Sequence, residues 1–158
     1  MRPEFFKILY EKMRANPDII ALTGDLGFGG FDKIQQDLPK QFVNCGAAEQ
    51  TMLDMACGLA VSGKIPICYS ITTFLLYRGF ETLRLYINHE RIKVLLIGSG
   101  RDKDYHIDGF SHDSSDAKVI LATLPNIKHY FPNDVEEMKK NFDSMLQADG
   151  PTFLSLRR

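Results

Sequence analysis

Between Asp102 and Asp116 the chain crowds Asp104, His106, Asp108, His112 and Asp113 into one loop, oxygen and imidazole donors of the kind that bind metal ions. A calcium loop is excluded, because Ile107 sits where the turn glycine belongs. Ser and Asp helix caps around Ser111 to Asp116 account for most of the same letters, and no protein-only metal site is assigned. Gly24-Asp25-Leu26-Gly27-Phe28-Gly29-Gly30 follows an apolar run and invites a phosphate-cradle reading. It matches neither the dinucleotide fingerprint nor the P-loop, since Lys33 is not placed after a glycine and before Ser or Thr. A loop that needs positive φ and close backbone approach explains these glycines. Glu49, in Gly46-Ala47-Ala48-Glu49-Gln50, lies at a strand-to-helix junction where a helix dipole favours a carboxylate. Phe74, Tyr77 and Phe80 recur at i, i+3 and i+6, the spacing of a stripe packed on a core. Cys45, Cys57 and Cys68 have no patterned base beside them and form no C-x-x-C pair, so neither a thiol nucleophile nor a zinc ribbon is supported. His89 and His129 lack partners at ligand spacing.

The elements that must position these groups follow from period. Apolar Phe5, Phe6, Leu9 and Met13 predict a helix over 3–16, with Pro3 suited to its first turn and Pro17 to its stop. Short apolar runs at 19–23, 42–44, 65–70, 93–97, 128–131 and 152–156 read as strands. Helical patterns occupy 31–38, 49–61, 74–89, 116–123 and 135–147. Strict alternation of the two implies an α/β fold with a mostly parallel sheet of about six strands and helices on both faces. Ligands of such sheets bind where loops leave the carboxyl ends of the strands, here 24–30, 44–48, 70–74 and 98–116.

The 158 residues suit one domain, read as 1–158 with no linker or repeat. Hydrophobic residues at 44% and charged residues at 25% mark a globular chain rather than a disordered one. Lys and Arg number 19 against 20 Asp and Glu, with no basic block, which excludes a nucleic-acid or anionic-membrane partner of the usual kind. An odd set of three cysteines, no signal-like start and no apolar run of membrane length predict a cytoplasmic protein.

Taken in order, these motifs resemble the pyrimidine-binding domain of the transketolase group of thiamine diphosphate enzymes over almost the whole chain. The matching stretches are Leu22-Thr23-Gly24-Asp25-Leu26, Phe42 to Gln50, Ala56-Cys57-Gly58-Leu59-Ala60 with Gly63-Lys64-Ile65-Pro66, Thr73 to Tyr77, Arg78 to Arg84, and Asp108-Gly109-Phe110-Ser111-His112.

The resemblance implies roles. Glu49 matches the glutamate that hydrogen-bonds a ring nitrogen of the cofactor's aminopyrimidine, which is acid–base catalysis relayed through the cofactor. Phe74, Tyr77 and Phe80 match the pocket that holds the pyrimidine ring, and Asp25 and Leu26 match residues near the thiazolium. Asp108 and His112 match the Asp-Gly-x-Thr-His segment that contacts sugar hydroxyls, with Ser111 in place of threonine. Arg2 stands where the family arginine grips a sugar phosphate. Gly100 stands where transketolases place a further substrate histidine.

The Gly-Asp-Gly and Asn that hold magnesium in the family's diphosphate-binding half have no true counterpart; Gly24-Asp25-Leu26 with Asn44 only mimics them. The family's carboxy-terminal domain has no counterpart either. The resemblance therefore implies a pyrimidine-binding subunit of a split transketolase-like enzyme that needs thiamine diphosphate, and magnesium with its ligands on a separate diphosphate-binding subunit. It further implies a homodimer or two-plus-two heterotetramer, and transfer of a two-carbon unit between sugar phosphates. A deoxyxylulose-phosphate-synthase-like or 2-oxo-acid dehydrogenase-like subunit, or a non-catalytic interaction module, are the alternative expectations.

Overall fold

A computed structural model describes residues 1–158. The strands are β1 (Ile19–Thr23), β2 (Phe42–Asn44), β3 (Ile65–Ile71), β4 (Leu95–Ser99), β5 (Lys128–Tyr130) and β6 (Thr152–Leu156). All pair in parallel, in the order β2-β1-β3-β4-β6-β5. The helices are α1 (Arg2–Ala15), α2 (Asp32–Asp37), α3 (Glu49–Val61), α4 (Thr72–Tyr77), α5 (Phe80–Thr82), α6 (Ala117–Ala122) and α7 (Val135–Gln147). The α/β fold expected from alternation is the one observed.

Strands β1, β4 and β6 are buried at every residue, as apolar runs covered on both faces must be. Successive side chains go to opposite faces. Ile20, Leu22, Cys68, Leu96 and Phe153 face a core completed by Leu53 of α3, Leu75 of α4 and Leu121 of α6. Ala21, Ile67, Tyr69, Ile97 and Leu154 face a second core completed by Phe5 and Leu9 of α1 and Phe142 of α7. Each such buried side chain contributes ~1.5–3 kcal/mol relative to exposure. The termini of the outer helices are set by local chemistry. Asn16 turns extended after α1, ahead of Pro17, and the Asp134 side chain accepts the Glu137 N–H at 2.8 Å to start α7.

One predicted element is different. The helix expected over 74–89 is broken: α4 stops at Tyr77, α5 restarts at Phe80, and Leu83–His89 is π-helical. The break is at Gly79, where a Cβ would collide with the Leu53 side chain of α3. No helix is long and apolar enough to cross a membrane.

The chain leaves β1 for β2 on one side, while β3 pairs on the other. The carboxyl ends of β1 and β3 therefore flank a topological switch point, the place where parallel sheets open a crevice.

Candidate active site

Glu49 is the first residue of α3 and points into that crevice. It is only 1% exposed. The chain can bring a carboxylate there because Gly24, at the end of β1, has no side chain: a Cβ would stand 3.2 Å from Glu49 Oε1. The Ser70 hydroxyl, near the end of β3, donates to Oε1 at 3.2 Å. Arg78 Nη1 donates to Oε1 at 3.0 Å and to Oε2 at 2.9 Å, which supplies the counter-charge a buried carboxylate requires. The guanidinium carbon lies 3.7 Å from the Phe74 ring centroid, one helical turn earlier. Glu49, Phe74 and Arg78 thus form one unit, an ion pair set against an aromatic face. Sequence reasoning missed Arg78; a cation four residues after a candidate pocket aromatic was the available signal.

The other predicted residues gather next to it. Arg2, Leu26, Asp108 and His112 line one cleft of 400 Å³, with Tyr69 and Tyr105. Arg2 Nε donates to the Tyr69 hydroxyl at 2.9 Å, and Nη1 reaches the Tyr105 hydroxyl at 3.5 Å. Both partners are neutral, so the guanidinium keeps its charge for an anion. His112 joins cleft to crevice: its ring is 4.9 Å from that of Phe74, and its Nδ1 is 2.9 Å from Ser111 Oγ. Thr73 Oγ1 donates to the Ser111 carbonyl at 2.7 Å, tying the Asp108 loop to α4. Tyr105 is a second residue the sequence did not single out. Its ring occupies the space a Cβ on Gly100 would need, and Gly100 has φ +81, so a side chain at this position would be strained.

A larger hollow of 740 Å³ lies between α1 and the β1–α2 loop. Of the predicted residues it touches only Arg2, and its lysines Lys7 and Lys33 are already paired with Glu4 and Asp37.

Several motifs resolve into structural roles. Asp25, at φ +59, accepts the Asn44 amide at 3.1 Å and donates its own N–H to Asn44 Oδ1 at 3.0 Å. The imitation of the magnesium motif is thus a brace between the loops after β1 and β2. Gly27 and Gly29 take positive φ, and a Cβ on Gly30 would collide with the Phe6 ring. In the acidic loop, Asp104 accepts the Arg101 N–H at 3.0 Å and Asp113 accepts the Ser115 N–H at 3.0 Å. No three His, Cys, Asp or Glu side chains converge as a metal-ligand set.

The aromatic stripe is divided by the break at Gly79. Phe74 lies under Arg78, Tyr77 is 42% exposed, and Phe80 packs against the α3-side core. Burial, with the Asp116 and Asp113 carboxylates, pushes the Tyr77 phenol up to about 12. Burial, with Asp54, pushes the Cys57 thiol up to about 11, which leaves it un-ionised at neutral pH.

A six-stranded parallel sheet with a buried glutamate at its switch point and a cation facing the adjoining cleft defines a parallel α/β domain with a candidate site at the carboxyl ends of its strands. Its family is specific: the transketolase pyrimidine-binding domain model matches residues 1–158, and the chain belongs to that family. It is 28% identical over 159 residues to the 6-deoxy-6-sulfo-D-fructose transketolase subunit SqwH of Clostridium sp. (strain MSTE9), covering 100% of this chain and 49% of that protein. It is 29% identical over 161 residues to an apulose-4-phosphate transketolase subunit of Phocaeicola vulgatus, covering 99% and 51%. Among solved structures, a split-gene transketolase described as an inactive β4 tetramer superposes with a TM-score of 0.86 at 26% identity, covering 99% and 50%. The chain spans about half the length of these relatives.

Proposed function

We propose that residues 1–158 are a single pyrimidine-binding domain, the subunit part of a split, transketolase-like transferase that uses thiamine diphosphate and works with a separate diphosphate-binding chain. The observation that carries this reading is Glu49: a carboxylate 1% exposed, at a switch point, whose two oxygens face a planar nitrogen donor lying on Phe74. A site that holds a guanidinium in this way offers the carboxyl group and the aromatic face that an aminopyrimidine needs. When bound, the cofactor supplies a carbon acid whose anion adds to carbonyl groups, chemistry no side chain provides.

The chain's own residues do the rest. Glu49 holds a proton shared with the pyrimidine ring nitrogen, and Phe74 bounds the ring's face, with Tyr77 and Phe80 further along the same segment. Leu26 and Asp25 border the thiazolium side. Arg2, without a carboxylate partner, takes the substrate phosphate. Asp108 and His112 take the sugar hydroxyls, and His112, whose ring lies 4.9 Å from that of Phe74, is the group assigned to pass a proton to substrate oxygen. The reaction is transfer of a two-carbon ketol unit between sugar phosphates or related carbonyl compounds. Magnesium and the diphosphate belong to the partner subunit. Support for a partner comes from the rim, where Phe28, Ile107 and Phe110 are 81%, 72% and 91% exposed, apolar surface that a docked chain would cover. A two-plus-two heterotetramer is the assembly expected.

Calorimetry tests the reading. The chain alone should bind thiamine diphosphate with magnesium weakly, and the reconstituted pair should bind at micromolar level, about 8 kcal/mol. Micromolar binding by the chain alone would overturn the split-subunit assignment.

A further inference from the structure

In the crevice, Glu49 is engaged by a side chain of the same chain. Arg78 takes the place at both surfaces that the reading above assigns to the aminopyrimidine: Nη1 hydrogen-bonds both oxygens of Glu49, and the guanidinium carbon lies 3.7 Å from the Phe74 ring centroid. We propose that Arg78 is an internal stand-in for the aminopyrimidine, which keeps the buried Glu49 charge compensated in the cofactor-free chain and must leave before the cofactor can seat. The inference rests on the proposed function.

Three observations carry it. Glu49 has no other cation: its remaining partner is the neutral hydroxyl of Ser70. Arg78 has somewhere to go, since its side chain is 46% exposed while that of Glu49 is 1%. It is also free to move without unfolding its helix, because it lies after the last residue of α4 and directly before the break at Gly79. Guanidinium is weakly hydrated, flat and a multiple N–H donor, so it reproduces the face of an aminopyrimidine and the edge of its ring-protonated form, whereas a lysine ammonium reproduces only the charge.

An occupied site weakens its ligand by the fraction of time it is free, so a guanidinium seated about nine-tenths of the time lowers apparent affinity about tenfold. The experiment is calorimetric titration of thiamine diphosphate with magnesium into the two-chain complex, built with wild type, Arg78→Ala or Arg78→Lys. Thermal unfolding of each chain without cofactor is measured alongside.

The proposal predicts tighter binding in Arg78→Ala, by about tenfold, together with a lower unfolding temperature of the cofactor-free chain. Arg78→Lys should be intermediate in both, and carries the comparison if the alanine chain does not fold. Equal or weaker binding by the variants, with wild type binding normally, overturns the stand-in and leaves the proposed function in place. Failure of wild type and variants alike to bind overturns both.

Discussion

Deleting Arg78 should destabilise the cofactor-free chain more than neutralising Glu49, although Arg78 is the more exposed member of the pair. Glu49→Gln keeps the shape and an acceptor for Arg78 and Ser70, and it releases a guanidinium that is already 46% exposed into water. Its cost should stay near that of an exposed pair, below ~1 kcal/mol. Arg78→Ala strands a carboxylate that is 1% exposed with one hydroxyl at 3.2 Å. Orphaning one charge of a fully buried pair costs ~3–5 kcal/mol. Here water can enter along the path the arginine vacates, which brings the expectation to ~2–3 kcal/mol. For a chain of this size that is a fall in Tm of roughly 5–10 °C. The double variant should recover most of the loss, because no charge is then left buried. Urea and thermal unfolding followed by circular dichroism at neutral pH measure all three. A loss in Arg78→Ala no larger than in Glu49→Gln would refute the reasoning.

Gly79→Ala should destabilise by ~1–3 kcal/mol, because the new methyl meets fully buried Leu53; helix propensity alone predicts a gain of up to ~1 kcal/mol, so the sign in a urea titration decides between the two. The Tyr77 phenol should ionise at about 12, above the ordinary value of 10.0. Its folded-state pKa is raised, so the stability tied to the neutral phenol is complete below pH 10 and is lost as pH rises towards 12. Alkaline titration of phenolate absorbance should show two late tyrosines, Tyr77 and Tyr69, whose phenol burial also pushes up, and Tyr77→Phe should remove one of them.

The sheet was legible because parallel strands covered on both faces are rich in apolar residues, and Ile19–Thr23 and Thr152–Leu156 are, with Thr23, Thr152 and Ser155 their only polar members. Helix α3 was legible with its first residue, since the pattern from Glu49 to Val61 is helical and Gly46 marks the turn before it. The break at Gly79 was not, because it arises from Leu53, a tertiary neighbour 26 positions away, which no local period records. For the same reason Arg78, which the sequence named only as the start of a matching stretch, had no assigned role, and only the fold turns it onto Glu49. Arg2, Asp108 and His112 were named from resemblance; that they share a cleft with Tyr105 depends on Gly100, whose missing side chain makes room for that ring. The acidic loop read as a candidate metal cluster because sequence crowding does not reveal that Asp104 and Asp113 are engaged by backbone N–H groups.

The central claim is that the Glu49 carboxyl shares a proton with a bound pyrimidine. The direct measurement is turnover of the reconstituted two-chain complex carrying Glu49→Gln, with unfolding and assembly measured on the same preparation. An amide cannot exchange that proton, so turnover should fall about 100-fold or more, while stability changes by less than ~1 kcal/mol and the chains still associate. Wild-type turnover in the glutamine variant would contradict the catalytic assignment of Glu49 and the thiamine-enzyme reading built on it.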